Sequence, residues 1–149
     1  MSRTSRVRRT TGKILISAVA LFAPVGGVVA DWNETHVHNP KWPPHAKFHN
    51  GQTLAFAFEL AALSLWQLWR PTDAPRSALR WGTVLAGLYW AAQAPAVLAP
   101  GAALADPEFA HPERRIAGLP ANQLTVQALF VWPLLAIGFF LVDDRANEA

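Results

Sequence analysis

Four of the five histidines, His36, His38, His45 and His49, fall within Asp31–Gln52 (DWNETHVHNPKWPPHAKFHNGQ), beside Asp31 and Glu34. Imidazoles this close to carboxylates can exchange protons near neutral pH or hold a transition metal. His36-x-His38 and His45-x3-His49 lie at spacings that zinc sites use. His36, His45, His49 and Glu34 are therefore candidate ligands for a divalent metal such as zinc. Neither an HExxH motif nor a three-histidine box is present.

A second kind of chemistry centres on Glu59, inside the apolar run Thr53–Trp69 (TLAFAFELAALSLWQLW). A carboxylate in hydrocarbon costs at least a few kcal/mol unless it pairs, is protonated or faces a bundle interior. Proline is tolerated at the first helical position, so a helix can start at Pro44. On that helix His45, His49, Gln52, Phe56 and Glu59 share a face, with Glu59 roughly 15 Å beyond His49 along the axis. Gly51 weakens the helix locally. This stripe makes His45, His49 and Glu59 candidates for general acid–base catalysis. Gln93 and Gln127 fall at matching depth in two later apolar runs. With Asp31, Asn33 and Gln52 they are candidate ligand-binding groups, although such glutamines also serve as interhelical hydrogen-bond glue.

The elements that must position these residues are four apolar runs. Hydrophobic residues make up 52% and charged residues only 15% of the 149, against about a quarter charged in soluble domains. About 17–25 apolar residues cross a bilayer. The runs therefore predict an all-α polytopic membrane protein: a four-transmembrane-helix bundle with helices near 14–30, 44–69, 81–99 and 123–142. A proline-braced polar loop joins helices 1 and 2. A disordered basic N-terminus, 1–13, would precede the bundle and a short tail, 143–149, would follow it. Val28-Val29-Ala30 ahead of Asp31 also fits a small-residue cleavage site, so the first run reads either as a retained helix or as a signal peptide.

Charge placement orients the bundle. Five of the basic residues lie in the first thirteen positions, and Arg70, Arg76, Arg80 and Arg145 fall on the same side. The opposite side holds Lys41, Lys47, Arg114 and Arg115. The positive-inside rule then places both termini in the cytoplasm and the Asp31–Gln52 loop outside an inner, or plasma, membrane. The net charge of +3 is not gathered on one face and no nucleic-acid motif is present, so nucleic acid is not an expected partner. Expected partners are the bilayer, a lipid-like small molecule and a second copy of the chain. Cysteine is absent, which excludes disulfides and thiolate chemistry.

The stretch Asp31–Gln52 resembles the signature of an uncharacterised family of small four-helix integral membrane proteins in bacteria and fungi: D-W-N-x-T-H, a short gap, then N-P-x-W-P-P-H-A-K/R-F-H-N-G-Q. The resemblance implies that Asp31, Asn33, His36, Asn39, Pro40, Trp42, His45, His49 and Gln52 are signature positions. His38 departs from the aromatic residue more usual there. The resemblance implies fold and topology, with no established activity. Two functions of different class remain. One is acid–base chemistry on, or binding of, a lipid-like molecule in the outer half of the bundle. The other is a non-catalytic membrane protein that holds a divalent metal or a partner subunit through the histidine-rich loop.

Overall fold

A computed structural model of the chain describes residues 2–143; Arg145 and the rest of the tail from 144 lie outside the described residues. The described residues are mostly helical. They form α1 (Arg3–Asp31), α2 (Pro44–Trp69), α3 (Pro75–Ala96) and α4 (Gln123–Val142), with a 3-10 turn at Pro107–Phe109 in the long α3–α4 connection. That connection also carries a two-residue antiparallel pair, β1 (Arg115–Ile116) with β2 (Leu119–Pro120). α1 and α4 are long and apolar enough to cross a membrane.

α1 begins well before its apolar run, so the basic segment expected to be disordered is helical from Arg3. Ser2 caps it, its hydroxyl accepting the Ser5 N–H at 3.1 Å. Once the apolar run has nucleated the helix, each further residue gains one backbone hydrogen bond, and this carries it outward. Contact with α4 also holds the extension. A Cβ added at Gly12 would lie 2.5 Å from the Gly138 carbonyl oxygen, and one at Gly138 would lie 2.9 Å from that of Gly12. Only glycine lets the two backbones approach so closely.

α3 starts at Pro75, earlier than the position 81 expected, because Pro75 and Arg76 fit the first turn instead of breaking it. It ends just past Pro95, sooner than the apolar run suggests, and 97–100 form turns. Against α2, the buried Ser64 hydroxyl donates to the Gly82 carbonyl at 2.8 Å.

The core is built largely from small and branched side chains: Ile16, Val19, Ala20 and Ala23 on α1, Ala57 and Ala61 on α2, Ala86 on α3, Val131 and Leu135 on α4. Many of the large apolar side chains point outward, among them Phe56, Phe58 and Leu63 on α2, Val84 and Leu88 on α3, and Ile137 and Phe140 on α4. The small residues inside let the helices approach closely.

Candidate functional site

The C-terminal ends of α1 and α3, the N-terminal end of α4 and the two loops beside them enclose a cleft of about 920 Å³. Its rim is shaped by the turn after α1. The Asn33 amide donates to the carbonyls of Val29 (3.0 Å) and Ala30 (2.9 Å), while its oxygen accepts the Thr35 N–H at 2.8 Å. This Asx turn satisfies carbonyls that the helix end leaves open. It also swings the chain back, so that Thr35 and His36 stand beside Asp31 and line the cleft.

At the rim, Asp31 accepts a hydrogen bond from the Asn50 amide of α2 at 2.9 Å and lies 3.8 Å from Nδ1 of His36. The same Nδ1 is 2.6 Å from the Thr35 hydroxyl oxygen. That hydroxyl has its own acceptors, the Asn33 oxygen at 2.7 Å and the Ala30 carbonyl at 3.1 Å. The consistent arrangement has His36 Nδ1–H donating to Thr35 Oγ1, with the nearby carboxylate favouring a proton on that nitrogen. Nε2 is then the acceptor of the neutral ring. Trp42 meets the imidazole edge to face at a centroid distance of 4.7 Å.

Deeper in the cleft stand Tyr89 and Gln93, one turn apart on α3. Gln93 reaches the Tyr89 hydroxyl and accepts a hydrogen bond from the buried Gln127 amide of α4 at 2.7 Å. The apolar wall is Phe22 stacked on Trp90, with centroids 5.2 Å apart. The Trp90 indole N–H is buried without a partner. An ion pair between Lys41 and Glu108 ties the first loop to the α3–α4 connection. The hydrogen bond from Lys41, reinforced by its charge, holds the Glu108 carboxyl below the usual carboxylate range.

The structure divides the residues singled out in the sequence. Asp31, His36 and Gln93 line the cleft, and Gln127 supports Gln93 from below. Asn33 caps the end of α1 and does not itself line the cleft. His45, His49, Gln52 and Glu59 do share one wall of α2, but it is the outer wall, and all four are exposed. The buried seam of α2 runs Leu54, Ala57, Ala61, Ser64, Leu68. Glu59 is two positions from both Ala57 and Ala61, about 200° round the helix, and so points away from the bundle. The catalytic trio His45, His49 and Glu59 therefore does not enclose a pocket. The metal set is not assembled either: His36 is engaged with Thr35 and Asp31, Glu34 is exposed, and no three such ligands converge among the described residues.

Tyr89 and Asn50 were not among the expected site residues. Tyr89 is the chain's one tyrosine and stands four residues before Gln93, a spacing that places both on one helix face. Asn50 follows His49, and the turn of the helix carries it inward toward Asp31.

Residues 15–146 match the model of a family described as a family of unknown function, DUF6640. No curated protein and no solved structure matches the chain.

Proposed function

Since the chain belongs to the DUF6640 family, whose function is unknown, its role must be read from its own site, and we propose that it is a multi-pass membrane protein whose cleft binds the head of a lipid-like amphiphile. The observation that carries this reading is the lining of the cleft. Asp31, His36, Tyr89 and Gln93 share one space of about 920 Å³ with an aromatic wall, Phe22 on Trp90. Pockets for small molecules commonly combine an apolar surface with a few fixed polar groups in this way.

The membrane setting is supported by the length and composition of α1 and α4 and by the bulky outward faces of α2 and α3. At the end of the bundle away from the cleft, Lys13 lies over the Trp69 ring at 5.3 Å and Arg70 over Trp66 at 4.5 Å. Cations paired with tryptophans suit the cytoplasmic interface, which would leave the cleft in the outer leaflet. α1 contributes Ile16, Val19 and Ala23 to the core, which favours its reading as a retained span.

In this role Tyr89 and Gln93 hydrogen-bond the ligand's polar head, Phe22 and Trp90 pack on its apolar part, and His36 exchanges a proton with it through Nε2 while Asp31 orients the ring. His36 takes the place that the stripe on α2 had suggested for His45 and His49. Assembly follows from Glu59: a carboxylate on the outer wall of a span is costly against lipid, which favours a second copy of the chain on that face.

Mass spectrometry of lipids that co-purify in mild detergent tests the binding role. Wild-type protein should carry a defined amphiphile, and Ala92→Phe, which fills the cleft from an exposed position on its lining, should lose it. Equal lipid content in the two proteins would refute the reading.

A further inference from the structure

The outer wall of α2 carries a pair of groups that the cleft does not use. His45 and His49 bring their Nε2 atoms within 3.1 Å, and both side chains are exposed. We propose that they form a two-histidine clip for a divalent transition-metal ion.

The spacing is that of a bound ion. With metal–nitrogen bonds of ~2.0–2.1 Å, two nitrogens on a tetrahedral ion stand ~3.3 Å apart, and two at a right angle ~2.9 Å. The observed separation of 3.1 Å falls between them, with the two rings edge to face at centroids 4.4 Å apart.

The ring orientations are also set. Nδ1 of His49 faces the Gln52 side-chain oxygen at 3.3 Å. An amide oxygen only accepts, so His49 carries its proton on Nδ1 and presents a lone pair at Nε2. This is the outer hydrogen bond that metal-binding histidines commonly make. His45 lies parallel to the Phe48 ring, at an interplanar angle of 3° and a centroid distance of 6.1 Å. Without an ion, one proton between the two Nε2 atoms satisfies both neutral rings; when an ion binds, His45 carries its proton on Nδ1 instead, and both Nε2 lone pairs face the metal.

Imidazole pairs suit zinc, nickel and copper. No third protein ligand converges among the described residues, so the remaining positions belong to water and the ion exchanges readily. The clip stands apart from the cleft, whose histidine is held by Thr35, and it does not depend on the binding role proposed above.

Calorimetric titration of the tag-free, full-length protein in mild detergent with Zn2+, and separately with Ni2+, tests the clip. One ion should bind per chain. His45→Ala with His49→Ala should abolish the signal, His36→Ala should leave it unchanged, and Gln52→Leu should weaken it by about tenfold through loss of the orienting acceptor. Circular dichroism of each variant confirms that the helices are intact. Absence of binding by either ion, full binding in the double variant, or loss of binding in His36→Ala would overturn the proposal.

Discussion

Gln127 on α4 donates its side-chain amide to the Gln93 oxygen on α3 across 2.7 Å, at the point where α4 widens into a π turn over Gln127–Val131. Pro133 offers no N–H to the ladder, and the Trp132 N–H bonds the Gln127 carbonyl five residues back. The widened turn sits where Gln127 is buried, 3% exposed. With its oxygen engaged, Gln93 has only its amide N–H groups to offer the neighbouring Tyr89 hydroxyl.

Breaking this pair from one side should cost more than removing it whole. Gln93→Leu leaves the buried Gln127 amide unpaired, for a loss of about 1–3 kcal/mol. Gln127→Leu added to Gln93→Leu should recover part of that loss. Denaturant unfolding of the two single variants and the double variant in detergent measures the coupling.

Glycines on the two sides of the bundle should respond in opposite senses. Gly138→Val drives a side chain into Ile16 and the Gly12 backbone, and overpacking of this kind costs about 1–3 kcal/mol. A Cβ at Gly51 meets nothing within 4 Å, and Gly51→Ala inside α2 should stabilise by about 0.4–1 kcal/mol. Thermal unfolding midpoints report both.

The clasp between Lys41 and Glu108 should be pH-dependent in one direction. The Glu108 carboxyl is held below its ordinary range in the folded chain. Its contribution is therefore present above the unfolded value and lost as pH falls through the lowered folded value. Protection of amides in 97–122, taken relative to their intrinsic exchange rates at each pH, should fall on acidification, and Glu108→Gln should show the lower protection already at neutral pH.

Tyr89→Phe and Glu59→Gln separate the cleft from the outer wall of α2. Loss of the tyrosine hydroxyl should weaken retention of a co-purified amphiphile by about tenfold, the value of one hydrogen bond of ~1.4 kcal/mol. Glu59→Gln should leave retention unchanged, because Glu59 faces away from the bundle. Quantitative lipid mass spectrometry of both variants distinguishes the two walls.

The helical character of the chain was legible in its apolar runs, and the prolines at 43–44 and at 71 punctuate α2 clearly. Which way α2 faces was not. Past Gln52, apolar residues fall on every side of that helix, so hydrophobic periodicity carries little direction, and a lone carboxylate reads naturally as interior. The overlooked signal was size: Ala57, Ala61 and Ser64 form a small-residue seam, while Phe56, Phe58 and Leu63 are too bulky for close helix contact. The basic start of α1 misled in a similar way, because charge suggested disorder although Gly12 was there to meet α4. At the site, Asp31, His36 and Gln93 could be singled out from residue type alone. Their convergence depends on the Asx turn at Asn33 and on the π turn at Gln127, whose side-chain and backbone geometry spacing does not encode.

Photo-crosslinking with a lipid analogue that carries its reactive group at the head, followed by peptide mapping, tests most directly whether the amphiphile sits in the cleft. Label is expected on Gly26–His36 of the α1 end and on Tyr89–Val97 of α3, and it should fall away in Ala92→Phe. Label concentrated on the outward residues of α2 between 52 and 63, and undiminished by that substitution, would contradict it.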